Sequence, residues 1–164
     1  HRPPALFHEL TEQDFVHVYA SQFLNRVYPI HAALPHMREA GGSILILGTD
    51  AGRQATPGEA LHGAMGSAKI MLTKTLAREF GRWKIRVNCL ALTITSGTEA
   101  FETIINGDAW ARKIFQKAVD RFPFGRPPNA QEVAEAALFL CSDRSAQVTG
   151  QTLSVNGGLS FGGW

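Results

Sequence analysis

Three side chains that differ in their capacity for proton transfer share one predicted helical face. Met65 and Lys69 are four residues apart, and His62 precedes Met65 by three. Spacings of three and four residues bring side chains onto the same face of an α-helix. The Lys69 ammonium can stabilise a nearby anion, whereas the Met65 thioether has no proton to give. His62 is a candidate substitute acid on that face, although a single histidine is more often structural.

The elements that would carry these residues alternate between helix and strand. Two long helices are predicted, over residues 12–37 and 59–80, and Thr11 with Asp14 forms a capping box that opens the first. Apolar runs predict three strands of the kind that a parallel sheet buries on both faces, at 43–47, 85–92 and 151–155. This alternation predicts an α/β fold and a single domain over residues 1–164.

The second half of the chain contains less regular segments. Residues 93–107 are predicted to be irregular and residues 108–121 to be helical. Asn129 and Glu132 form a second cap signal, which opens a helix that ends near Cys141.

Bulk composition excludes several classes of protein. The chain has 164 residues, 45% of them hydrophobic and 18% charged, and its net charge of +2 is too small and too scattered to indicate binding to nucleic acid or to a membrane surface. No apolar run approaches the ~18 residues that a membrane span requires, and no signal peptide is recognisable. Cys89 and Cys141 are predicted to be buried free thiols, which indicates a reducing, cytoplasmic location. No spacing of His and Cys indicates a metal site.

Several segments, in their order along the chain, resemble the short-chain dehydrogenase/reductase (SDR) family. The resemblance runs from about Leu10 to Phe161. It rests on five motifs: Leu61–Lys69 continuing to Phe80, Leu34–Met37, Gly42–Gly52, Arg86–Asn88, and Val148–Gly158. The resemblance implies a Rossmann-like parallel sheet flanked by helices, in which this chain supplies strands five to seven of the SDR fold.

The resemblance also assigns candidate catalytic positions. The family's catalytic Tyr, which exchanges a proton with the substrate, falls at Met65, and the Lys that tunes it is retained as Lys69. The family's substrate-orienting Ser falls at Thr49, and its helix Asn falls at Gln22. Each residue also has a simpler interpretation: Met65 as packing, Thr49 as a turn former, and Lys69 as a solvated helix lysine.

This sequence matches fewer of the family's cofactor-binding positions than of its catalytic positions. In the resembling family the Lys also holds the ribose next to the nicotinamide, so Lys69 is a candidate cofactor contact, and Thr95 or Thr98 is a candidate for the carboxamide contact. The Gly-rich turn that cradles a dinucleotide pyrophosphate is not found in this sequence, so the N-terminal nucleotide-binding half of the fold is expected to be absent. One edge of the strand at 43–47 would then be exposed, and either further residues of a longer polypeptide or a partner must cover it.

Two functions follow from these expectations. The first is a catalytically silent subunit, a pseudoenzyme that binds no cofactor itself. It would pair through helices 12–37 and 59–80 with an SDR-type sister subunit, in a homo- or hetero-oligomer. It would thereby support an active, NAD- or NADP-dependent hydroxyacyl-CoA or related alcohol dehydrogenase. The alternative is an NAD(P)-dependent SDR oxidoreductase with a replaced proton donor, part of whose chain lies outside this sequence. A binding module without redox chemistry is a third possibility.

Overall fold

A parallel sheet forms the centre of the structure. The computed structural model of the chain describes residues 5–107, 113 and 116–161. Its strands are β1 (Gly42–Thr49), β2 (Ile85–Leu92) and β3 (Thr152–Val155), in the order β1-β2-β3. β1 and β2 pair in parallel from Gly42 opposite Ile85 to Thr49 opposite Leu92, and β3 pairs in parallel with the second half of β2. The predicted parallel sheet and its three strand positions are confirmed.

Helices lie around this sheet. They are α1 (Glu12–Tyr19), α2 (Asn25–Ala40), α3 (Ala60–Phe80), α4 (Glu99–Ile105) and α5 (Ala130–Cys141), and a π-helical segment, Ala20–Leu24, joins α1 to α2. Short 3₁₀ turns occupy Phe7–Glu9, Asp50–Gly52, Gly81–Trp83 and Asp143–Ser145. The predicted helix over 12–37 is therefore one continuous helical path with a π turn inside it. Within the described ranges, no helix combines the length and apolar character needed to cross a bilayer.

Both predicted capping boxes form. The Thr11 hydroxyl oxygen accepts a hydrogen bond from the Asp14 amide at 3.3 Å, and the Asp14 carboxylate accepts one from the Thr11 amide at 2.7 Å. Asn129 and Glu132 make the same reciprocal pair at 2.9 and 2.8 Å. Each box satisfies two amides that a helix start leaves without intrahelical partners, which explains why these starts are readable in the sequence.

The core lies between the sheet and α3. Ile46, Ala77, Phe80, Ile85 and Val87 form one buried cluster. β2 is the most buried strand because it lies between two neighbours and under helices. Burying a side chain of this size contributes about 1.5–3 kcal/mol, so this cluster is a major source of stability.

Two predictions about the second half of the chain were wrong. Residues 93–107 contain α4, whose first turn is capped by the Thr98 hydroxyl, which accepts from the Phe101 amide at 3.2 Å. Cys141 is exposed, because α5 turns Leu140 into the core and the next residue lies about 100° further around the helix. Half of the helix predicted over 108–121 lies outside the described residues, and residues 113 and 116–119 of the described half are helical.

The turn after β1 and the start of α3 approach each other closely. A Cβ added at Gly52 would lie 2.5 Å from the Gly66 carbonyl carbon, and one added at Gly66 would lie 2.7 Å from Cγ2 of Thr49. The Ser67 hydroxyl donates to the Gly52 carbonyl at 2.6 Å. Glycine on both sides therefore lets the backbone of this turn rest directly on the helix.

We expect Gly52→Ala to lower the free energy of unfolding by roughly 1–3 kcal/mol, because its methyl group would overlap the α3 backbone. Gly81→Ala is the matched control, since nothing lies within 4 Å of an added Cβ there. The control should be neutral or gain up to about 1 kcal/mol. Urea unfolding measures both variants, and equal losses in the two would contradict the contact explanation.

Candidate active site

The candidate site lies at the carboxyl end of β1, against α3. Thr49 is the last residue of that strand, and its hydroxyl oxygen accepts from the Ala51 amide at 3.3 Å. Its methyl group packs so closely on Gly66 that only glycine fits there. Gly66 directly follows Met65 on α3, so the fold brings Thr49 to the same turn of helix as Met65. Turn formation accounts for one lone pair of the Thr49 oxygen, and its proton is still available for donation.

Lys69 points into the protein rather than into solvent. Only 3% of the residue is exposed, which excludes its interpretation as a solvated helix lysine. Burial lowers the pKa of Lys69, and the positive charge of Arg26 lowers it further, while Cys89 acts in the opposite direction. Cys89 is in the middle of β2, so the lysine reaches from α3 toward the sheet.

Met65 and His62 lie on the same side of α3 as Lys69. Both are half-buried. Burial lowers the pKa of His62, and the Lys69 charge lowers it further, so the imidazole is neutral at pH 7. His62 also lines a small cavity under α1, together with Leu10 and Val18. A neutral imidazole is a weak acid, so His62 is poorly suited to act as the proton donor.

The other predicted positions differ in how close they come to Lys69. Gln22 lies in the π-helical segment, which packs against α3. π turns inside helices are often found at functional sites. Thr95 and Thr98 lie in the loop after β2, where their hydroxyls donate to the carbonyl oxygens of Thr93 at 3.0 Å and of Thr95 at 2.8 Å. These two hydroxyls shape the loop, and no contact joins them to Lys69 within the described residues.

A buried carboxylate next to Thr49 is absent from the sequence-based candidates. Asp50 is 6% exposed, and four side chains donate to it. Its Oδ1 accepts from Arg53 at 3.2 Å and from Ser154 at 2.8 Å, and its Oδ2 accepts from Ser160 at 3.1 Å and from the Asn156 amide. This cluster, the Asp50 network, ties the turn after β1 to β3 and to the turn that follows β3.

A sequence signal for the Asp50 network exists. Asp50 directly follows the end of one predicted strand, and Asn156 directly follows another. The carboxyl ends of parallel strands lie at one edge of a sheet, so polar residues in both places can meet. β3 is not adjacent to β1, however, and only the folded loops bring the two turns together.

We expect Asp50→Ala to lower the free energy of unfolding by about 3–5 kcal/mol, because it leaves the Arg53 charge and three other donors without their acceptor. Asp143→Ala, at an exposed aspartate, is the control and should change stability by less than about 0.5 kcal/mol. Urea unfolding followed by circular dichroism compares them. Equal stability of the two variants would show that the network contributes little.

The two thiols should differ in reactivity. Burial raises the pKa of Cys89, which is 0% exposed, so it remains a protonated thiol near neutral pH, whereas Cys141 is exposed. Because the thiolate is the nucleophile, iodoacetamide should label Cys141 in the folded protein and Cys89 only after denaturation. Peptide mass spectrometry measures the labelling, and rapid labelling of native Cys89 would contradict this burial.

Comparisons with known proteins identify relatives along nearly the whole chain. The sequence profile of a family described as enoyl-(acyl carrier protein) reductase matches residues 2–160. The 3-oxoacyl-[acyl-carrier-protein] reductase FabG of Chlamydia trachomatis is 31% identical over 160 residues, which cover 95% of this chain and 60% of that protein. The 4-formylbenzenesulfonate dehydrogenase of Comamonas testosteroni is 31% identical, with 96% of this chain and 62% of that protein covered.

Solved structures give the same result. The 3-oxoacyl-[acyl-carrier protein] reductase of Brucella melitensis superposes with a TM-score of 0.86 at 31% identity, covering 96% of this chain and 57% of that one. Another structure of such a reductase from Brucella melitensis, with bound NAD, gives a TM-score of 0.83 at 30% identity and covers 96% and 56%. This chain therefore spans somewhat more than half the length of these relatives. The matched profile, the relatives and the shared fold establish that the chain belongs to the short-chain dehydrogenase/reductase family.

Proposed function

We propose that this chain is part of an NAD(P)-dependent oxidoreductase that interconverts a carbonyl and an alcohol, and that its usual proton donor has been replaced. The observation that carries the proposal is the buried Lys69 ammonium, held on the same stretch of α3 that packs against Thr49. The similarity to 3-oxoacyl reductases favours this function over a silent subunit. The protein's relatives are longer, so the proposal concerns the whole polypeptide or complex that contains this chain.

The replaced group is at Met65. In the alignment inferred from the sequence, this residue takes the place of the family's catalytic Tyr, four residues before Lys69. A thioether neither donates nor accepts a proton usefully at neutral pH. Losing one general acid typically costs 10²–10⁴-fold in rate, so slow turnover with water as the proton source is compatible with this site.

The residues present fit the nicotinamide end of a dinucleotide. The Lys69 ammonium has no carboxylate hydrogen-bonded to it within the described residues, so it is available to ribose hydroxyls. When bound, the nicotinamide would supply or accept a hydride. Thr49 would donate its hydroxyl proton to the substrate oxygen, and Lys69 would stabilise negative charge that develops there. Thr95, and with less freedom Thr98, could still accept a hydrogen bond from a carboxamide.

The other half of the dinucleotide needs a different binding surface. We propose that residues outside this sequence bind the adenosine and the phosphates of the dinucleotide, because the glycine-rich fingerprint is not found here. The same additional chain, or a partner, would cover β1, whose only strand neighbour among the described residues is β2. Leu47 on this strand is 42% exposed as it stands.

A silent subunit remains the second candidate, and Met65 is the observation in its favour. Such a chain would contact an active SDR-type sister subunit through its two long helices. Five large apolar residues on these helices are exposed to solvent and would be covered by such a contact: Phe15, Val16, Tyr19, Tyr28 and Met71. In a more specific form of this proposal, the substrate of the active partner is a hydroxyacyl-CoA.

Met65→Tyr separates the two functions. If only the proton donor is missing, reduction of acetoacetyl-CoA by NADH or NADPH should rise by 10²–10⁴-fold, because the new phenol would lie next to Lys69. Glu79→Tyr, at an exposed position near the end of the same helix, is the control and should leave the rate unchanged. The assay uses the complete protein purified from its own source cells with any accompanying chains.

A cofactor titration complements this assay. Saturable enhancement of nicotinamide fluorescence, lost in Lys69→Ala, supports an oxidoreductase site in this chain. If the isolated full polypeptide binds neither NADH nor NADPH and Met65→Tyr has no activity, the oxidoreductase proposal is wrong and the silent subunit is favoured.

A further inference from the structure

Two contacts set the orientation of the Thr49 side chain. Its hydroxyl oxygen accepts from the Ala51 amide at 3.3 Å, and its methyl group lies so close to Gly66 that a Cβ added there would be 2.7 Å from it. A β-branched side chain has few favourable χ1 rotamers. Rotation about χ1 would break the hydrogen bond or move the methyl group away from α3, so the hydroxyl keeps one direction only while the Ala51 amide stays in place.

The Ala51 amide belongs to the 3₁₀ turn that follows β1, and Asp50 holds this turn closed. The Asp50 carbonyl oxygen accepts from the Arg53 and Gln54 amides, both at 2.9 Å. The Asp50 carboxylate accepts from the Arg53 side chain at 3.2 Å. One residue therefore closes the turn with its main chain and with its side chain, and the position of the Ala51 amide depends on it.

The Asp50 carboxylate also fixes the turn relative to β3, a strand that does not pair with β1. Ser154 on β3 donates to one carboxylate oxygen at 2.8 Å. From the turn after β3, Ser160 donates to the other oxygen at 3.1 Å, and so does the Asn156 amide. Hydrogen bonds to an ionised acceptor are stronger than those between neutral groups. A shift of these donors would therefore move Asp50 and, with it, the Ala51 amide.

We infer that Asp50 is a positioning residue for the Thr49 hydroxyl, and that Ser154 and the turn after β3 contribute to the site through it. No hydrogen bond or ion pair joins the Asp50 carboxylate to Lys69 in the part of the chain that the structure describes, so Asp50 acts through its neighbour Thr49. Residues about 105 positions further along the chain thus set the direction in which Thr49 donates its proton. This inference rests on the proposed function only for the acceptor of that proton, because the orientation of Thr49 does not require catalysis.

The orientation of Thr49 is measured without substrate or cofactor. In the complete protein with ¹³C-labelled threonine methyl groups, the three-bond couplings of Cγ2 to the backbone nitrogen and carbonyl carbon report the χ1 rotamer. The native protein should show a single rotamer at Thr49. Ser154→Ala removes a donor to Asp50, and its Thr49 couplings should be averaged over several rotamers. Ser154→Thr keeps the hydroxyl and should restore the native couplings. Asp50→Asn, which removes the charge that holds the donors, should show stronger averaging.

Ser43→Ala is the matched control. Ser43 lies near the other end of β1, and its hydroxyl donates to the Leu140 carbonyl oxygen at 3.0 Å. This variant also loses one serine hydrogen bond, but it leaves the Asp50 network intact, so its Thr49 couplings should be native. Thr149, whose hydroxyl oxygen accepts from a β2 amide at 3.0 Å, is a check within each sample. A loss of structure throughout the fold would change the Thr149 couplings too.

Native Thr49 couplings in folded Ser154→Ala overturn the inference, whether or not Asp50→Asn folds. Reduction of acetoacetyl-CoA is a second readout, in which Ser154→Ala should lower kcat by roughly 10- to 100-fold and change KM little, because the donor is misplaced. The two proposals fail differently. Averaged Thr49 couplings in Ser154→Ala, in a protein without any cofactor-dependent reduction, contradict the oxidoreductase function and support the positioning role. Reduction that Ser154→Ala leaves unchanged, with native Thr49 couplings, does the reverse.

Discussion

The closest backbone contact at the candidate site holds its parts together. The turn after β1 rests on α3 with glycine on each side, Gly52 against Gly66, and no side chain separates the two backbones. This contact fixes the distance between the strand end that carries Thr49 and the helix that carries Lys69. A site that needs a hydroxyl and an ammonium on one substrate oxygen depends on such rigid placement, because small displacements reduce catalysis sharply.

The Asp50 network holds the same turn from the opposite side. Its donors come from β3 and from the residues after it, so the carboxyl end of the sheet is linked across a strand that lies between. A buried carboxylate with four donors is stable only if every donor stays in place. The turn that presents Thr49 is thus held by glycine contacts on its helix side and by a polar cluster on its sheet side.

Burial and neighbouring charges lower the pKa values of His62 and Lys69 on α3. A buried lysine and a neutral histidine lie on α3, and we propose that the Met65 thioether takes the place of the phenol expected from the family. Family membership and the local fold both favour redox chemistry on a carbonyl, whereas the proposed loss of the proton donor at Met65 would favour a supporting role.

Much of this fold could be predicted from the sequence because it depends on local interactions. The capping boxes at Thr11 and Asn129 and the apolar runs of β1 and β2 depend on residues close together in the chain, and the family motifs gave the order of the elements. α4 was not predicted because it is a short helix whose only local sequence signal is the cap at Thr98. The exposure of Cys141 was not predicted because it depends on which face of α5 packs against the sheet.

The candidate site was only partly predictable for the same reason. The sequence by itself determined the helix face shared by Met65 and Lys69, because helical geometry fixes that spacing. Only the tertiary structure decided that Lys69 is buried, that Asp50 collects donors from β3 and its following turn, and that Thr49 rests on Gly66. Those relations join residues far apart in the chain, and packing rather than local spacing sets their distances.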